Sequence, residues 1–210
     1  MSDAELSAGM SHLVRCASKL DDVISRVPES AWESPTCCEG WSDRDCASHA
    51  IGVLVNFRAR AIGADVVDIN DGSWAGSNPS ESSQYHLARL LEALPQVKPD
   101  DLFTHPLLGE LSFDDFFGSL AYDSLIHAWD IADGAAIDHR IDEETAKEAS
   151  ERSGHLVHLV RSDDYVFNPA CGDDTLSRLV ESTGWTPVRG WQPLRSSGEV
   201  GQGESARVTR

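Results

Sequence analysis

Ser112 to Gly134 reads SFDDFFGSLAYDSLIHAWDIADG, and this stretch decides the fold class. Phe113, Phe116, Phe117, Leu120, Ile126 and Ile131 recur at helical spacing and are spread around most of a helix circumference. A helix apolar on nearly every side is one that is buried on nearly every side. Ser112 with Asp115 three residues later is a variant of the capping box that opens a helix, and Gly134 suits the position just past a helix end. The reading is one deeply buried helix from Ser112 to about Asp133.

Helical periodicity extends outward in both directions. Upstream, Leu6, Met10, Leu13, Val14, Ala17, Leu20, Ile24 and Val27 predict a first helix from Ala4 to Val27, closed by Pro28. Ser42 and Asp45 predict a second helix start, running to about Ile62. The Gly-, Asp-, Asn- and Ser-rich segment 63–80 reads as a loop, and a third helix is expected from Glu81 to Leu94, ended by Pro95. His105 to Leu111, with Pro106 and Gly109, reads as a turn or small hairpin. Downstream, a fifth helix is expected over Asp142 to Val160 and a short one over Thr175 to Glu181. The segment 193–210 is almost free of apolar residues and is expected to be a disordered tail to a single domain over 1–192. With no internal repeat and no strand-rich region, the class is all-α: a helical bundle with short extra helices at the C-terminal end.

Composition removes several functions. Thirty-five acidic residues against 17 basic give a net charge of −18, which repels phosphate backbones and anionic lipid; nucleic-acid and membrane partners are not expected. No apolar run reaches the ~18 residues of a membrane span, and Met1 to Glu5 lack a secretory pattern, so a cytoplasmic location is expected. The five cysteines, Cys16, Cys37, Cys38, Cys46 and Cys171, include no C-x-x-C pair. A disulfide framework is not expected, and the adjacent Cys37 and Cys38 read as small packing residues, leaving Cys46 the one thiol expected near the site described next. No nucleophile elbow, phosphate loop or dinucleotide fingerprint is present.

Chemistry concentrates at Asp123 and His127. Four residues apart on a helix, they share one face and can reach one metal ion; inside so apolar a helix, an unpaired charge is costly. The alternative is a plain Asp–His pair. His49, in the second helix, is the candidate third ligand, with Asp45 one turn earlier as a carboxylate able to orient its imidazole. His155 and His158 form a weaker pair, while His12, His86, His105 and His139 lack partners at useful spacing. Trp41 and Trp129 flank the histidine-bearing segments as packing residues or pocket walls.

Two blocks resemble a known family. Ser34-Pro35-Thr36-Cys37-Cys38-Glu39-Gly40-Trp41-Ser42-Asp43-Arg44-Asp45, followed by His49, resembles the P-T-P-C-x-x-W-[ST]-x-[RK]-[DE] signature of DinB-like metal-binding proteins. DSLIHAWDIA, from Asp123 to Ala132, resembles the E-x-x-x-H-x-W-D-[LI]-A block of the branch that holds mycothiol-dependent maleylpyruvate isomerases. Leu176 to Pro187 is similar to the closing helix of that branch. The resemblance implies a DinB-like four-helix bundle in which His49, Asp123 and His127 bind a divalent metal. Zn²⁺ suits two histidines and a carboxylate best, with Fe²⁺, Ni²⁺ or Mn²⁺ as alternatives. It further implies an open coordination position where a small-molecule thiol such as mycothiol meets an electrophilic substrate, giving isomerisation or thiol transfer, in a monomer or homodimer. Alternatives are a metal-dependent hydrolase and a non-catalytic metal- or ligand-binding protein. Two departures stand out: Cys37 replaces the second proline, and Asp123 replaces Glu, shortening its reach by about 1.5 Å.

Overall fold

The computed structural model describes residues 5–38, 40–106, 108–154, 156 and 174–183. His155, His158 and Cys171, the far end of the expected fifth helix and the C-terminal tail lie outside the described residues. The described chain is mostly helical: α1 (Ala8–Arg26), α2 (Asp43–Ala61), α3 (Pro79–Ala93), α4 (Phe113–Leu120), α5 (Tyr122–Ala135), α6 (Glu143–Ser153) and α7 (Thr175–Thr183). Its sheet is one hairpin, β1 (Leu102–His105) and β2 (Gly109–Ser112), antiparallel with His105 opposite Gly109.

Helix α1 packs on α3, α4 and α5, and α2 packs on α3 and α5. Leu13, Leu20 and Ile24 of α1 meet Ile51 and Leu54 of α2, Leu90 of α3, Phe117 of α4 and Leu125 of α5 in one core. Helix α6 lies on α1, α4 and α5, and α7 lies on α6. No helix among the described residues is long and apolar enough to cross a membrane.

Helix starts follow the side-chain chemistry. Ser42, Asn78, Ser112 and Asp142 each accept a backbone N–H three residues on, satisfying a donor that the first turn leaves orphaned. α3 opens two residues earlier than expected because Pro79 fits the first helical position.

The helix expected over Ser112–Asp133 is two helices. Ala121 separates α4 from α5, and the Ser124 N–H reaches back only three residues to the Ala121 carbonyl, a 3₁₀-type step that tightens the chain. The consequence is functional: Asp123 stands in the first turn of α5, where a carboxylate complements the helix dipole.

Gly134 is not the residue past the helix end. It lies inside α5, which closes instead at Ala136 in the left-handed conformation (φ 56°). The glycine is required by packing: a Cβ on Gly134 would sit 2.1 Å from Oδ1 of the fully buried Asp43. Asp43 of α2 is pressed directly against the α5 backbone, fixing the spacing of the two helices that carry the candidate ligands.

Candidate metal centre

His49 is delivered by α2, whose start is pinned by a reciprocal capping box. Ser42 Oγ accepts from the Asp45 N–H at 3.2 Å, and Asp45 Oδ2 accepts from the Ser42 N–H at 2.9 Å and from its hydroxyl at 2.7 Å. These bonds consume the Asp45 carboxylate and hold its pKa below the ordinary range. Asp45 therefore caps the helix and does not orient His49, contrary to the spacing argument. That role falls to Asn70, whose Oδ1 lies 2.9 Å from His49 Nδ1. Asn70 belongs to the loop after α2, which folds back along the helix: Ser48 Oγ donates to the Asp71 carbonyl, and Asn56 exchanges two hydrogen bonds with Val67.

Asp123 and His127 come from α5, with 3.7 Å between Asp123 Oδ1 and His127 Nε2. The His49 and His127 rings meet nearly edge to face, centroids 4.8 Å apart. One donor atom from each of His49, Asp123 and His127 lies within 4.8 Å of the other two. The three residues singled out in the sequence thus converge. Ligands bound at ~2.0–2.1 Å around a tetrahedral ion lie about 3.4 Å apart, so small side-chain movements would close the triad on one. Asp123 Oδ2 is buried without a hydrogen bond, an acceptor whose desolvation is unpaid.

The electrostatics suit a cation. Burial disfavours charge on His127, but the carboxylates of Asp123 and Asp130 outweigh it and push the imidazole up to about 9. Burial and the neighbouring His127 charge move His49 the other way, below its ordinary value. Without an ion, the cluster holds a proton on His127; a dication would displace it.

Cys37 packs against the core, as expected, but its thiol and that of Cys46 also meet polar groups of the site. Backbone bonds from Asp43 N–H to the Ser34 carbonyl, from Thr36 N–H to the Trp41 carbonyl and from Trp41 N–H to the Cys38 carbonyl fold the segment before α2 into a compact loop. That loop brings Cys37 Sγ to 2.7 Å from Asp130 Oδ1. Cys46, one turn before His49, lies 3.5 Å from His127 Nδ1 and 4.0 Å from Asp130 Oδ2. The neighbouring Cys37 and Cys46 thiols lower the pKa of Cys38 strongly, while burial raises that of Cys46. Three cysteines therefore border the site rather than Cys46 alone. Asp130 was not singled out in the sequence, although its three-residue spacing from His127 could have marked it as a partner; the approach of Cys37 and Cys38 depends on a loop that no periodicity encodes.

Trp41 is a wall of the site, its ring 5.1 Å from that of His49, whereas Trp129 is core. His12, without a partner at sequence level, is buried against Glu148 and Cys16, far along the chain from the site. His49 and Asp123 line a cavity of about 400 Å³ with Phe57, Arg60, Phe116 and Leu120 among its walls. On its other side His49 borders a cavity of about 320 Å³ with Trp41 and Asn70. Comparison of the chain with protein-family models, with curated proteins and with solved structures found no match to any of them.

Proposed function

We propose that this is a DinB-like four-helix bundle protein holding a divalent metal, most suitably Zn²⁺, on His49, Asp123 and His127, and using it to activate a small-molecule thiol such as mycothiol. The observation that carries the reading is the convergence of those three side chains at the edge of a cavity large enough for a small molecule. Three protein ligands leave a tetrahedral ion one open position, the arrangement of catalytic rather than structural sites. The packing of α1, α2, α3 and α5 around one core supports the bundle.

A metal at this point would lower the pKa of a bound thiol and present it as a thiolate. The chain's own groups do the rest. Asn70 keeps the proton on His49 Nδ1, leaving Nε2 with its lone pair. Asp130 holds the Nδ1 side of His127 at 3.2 Å, so that Nε2 faces Asp123 and His49. Phe57, Phe116 and Leu120 give the cavity apolar walls, and Arg60 offers a cation to an anionic part of the electrophile. The products would be those of isomerisation or thiol transfer.

Calorimetric titration of zinc-loaded protein with a small thiol, in buffers of different ionisation enthalpy, tests the reading. Thiol binding with release of a proton is expected in the wild type and not in His49→Ala. Hydrolysis of an ester or amide with no thiol bound would establish the hydrolase instead. Absence of both would leave a binding protein.

A further inference from the structure

His127 stands between two donor sets. Its Nε2 faces Asp123 and His49; its Nδ1 faces Asp130 and Cys46. The second set continues to Cys37 and Cys38: one donor atom each from Cys37, Cys38 and Asp130 lies within 4.8 Å of the others, and Cys46 Sγ lies 4.0 Å from the same Asp130 carboxylate. At its hub the Asp130 carboxylate is completely buried. Among the described residues, no lysine or arginine pairs with it; its partners are Cys37, Cys46 and His127. A buried carboxylate ringed by thiols is expensive unless a cation neutralises it, and His127, the nearest cationic group, is also claimed by Asp123.

We infer that Cys37, Cys38, Cys46 and Asp130 form a second, thiolate-rich metal site behind His127, selective for soft cations such as Cd²⁺, Cu⁺ or Zn²⁺. Thiolates select such ions over Mg²⁺, Ca²⁺ and Mn²⁺, which prefer oxygen. Sulfur ligands bound at ~2.3 Å around a tetrahedral ion lie about 3.8 Å apart; Cys37, Cys38 and Asp130 already lie within 4.8 Å of one another, and Cys46, 4.0 Å from the same carboxylate, would close on the ion by a side-chain movement. Cys37 and Cys38 are half-buried, giving an ion a route in from the loop side, while Cys46 and Asp130 close the inner side. The ion would displace the thiol protons, and the carboxylate would become its fourth ligand. This site shares no ligand atom with the His49, Asp123 and His127 centre and stands or falls separately from it.

Titration with Cd²⁺ alone, in a thiol-free buffer with a phosphine reductant, tests the inference. One equivalent should produce a sulfur-to-cadmium charge-transfer band with the intensity of three thiolates, and should shield three thiols from a disulfide reagent. The band should survive in His49→Ala, which removes only the front centre. It should fall by about a third in Cys37→Ser, a variant that leaves the buried Cys46 in place, and affinity should drop at least tenfold in Asp130→Asn. No band in wild-type protein at stoichiometric Cd²⁺ would overturn the site, as would an undiminished band in Cys38→Ser/Cys46→Ser. Loss of the band in His49→Ala with folding intact would assign a single shared centre and also overturn it.

Discussion

His49 Nδ1 donates to Asn70 Oδ1 at 2.9 Å, and that bond sets which nitrogen of His49 is left for a ligand. The helix carrying His49 and the loop carrying Asn70 are separate pieces of backbone, so the tautomer depends on how the loop is laid down. Asn70→Ala should weaken Zn²⁺ binding 10- to 100-fold, the usual cost of removing the group that orients a ligating histidine. Chelator competition measures this. Thermal stability should change little, because Asn70 is exposed. Unchanged affinity would mean that packing against Trp41 alone orients the ring.

Asp45 supplies the matching control. Its carboxylate closes the α2 capping box and does not touch His49. Asp45→Ala should cost about 1 kcal/mol of stability by urea or thermal unfolding. Metal affinity should stay within a factor of two. A large loss of affinity without loss of stability would restore Asp45 as the residue that orients His49.

Two substitutions near the end of α5 should have opposite signs. Gly134→Ala drives a methyl group into the Asp43 carboxylate and should destabilise by about 1–3 kcal/mol. Ala136→Gly relieves a left-handed alanine at the helix end and should stabilise by about 0.5–1 kcal/mol, net of the entropy glycine gains on unfolding. In a chain of this length that is an increase in Tm of roughly 1–4 °C. A rise in Tm for Gly134→Ala would show that Asp43 does not approach α5 as described.

Asp142 should make stability depend on acid pH. The Lys19 ammonium, 2.8 Å away, together with the N–H and hydroxyl of Thr145, holds its pKa well below the usual range. A carboxyl depressed in the folded state binds its proton more readily unfolded. Its contribution is therefore complete above the unfolded value of about 4 and is lost as pH falls below it. The pair is half exposed, so the contribution is at most about 1 kcal/mol. Asp142→Asn keeps a capping oxygen but should be less stable than wild type at pH 6, with the gap narrowing toward pH 2. A gap independent of pH would assign the effect to capping alone.

Helices and their starts were legible because they are local. Apolar spacing in α1 and the Ser42 and Ser112 caps depend on residues three or four apart. Asp123 and His127 were legible for the same reason, and His49 joined them through the two blocks of family resemblance. The break at Ala121 was not, because alanine is a strong helix former and carries no stop signal. Gly134 was misread because a glycine near a helix end looks the same whether it caps the helix or admits Asp43. Asn70 and the Cys37–Cys38 pair reach the centre through loops, whose paths are set by long-range hydrogen bonds rather than by periodicity.

The central claim is that His49, Asp123 and His127 share one divalent ion. Anomalous diffraction at the zinc edge from crystals grown with Zn²⁺ locates the ion directly. A peak about 2.0–2.2 Å from His49 Nε2, His127 Nε2 and an Asp123 carboxylate oxygen is the predicted result. A peak confined to the cysteines and Asp130, or no peak between the two imidazoles at saturating Zn²⁺, would contradict it.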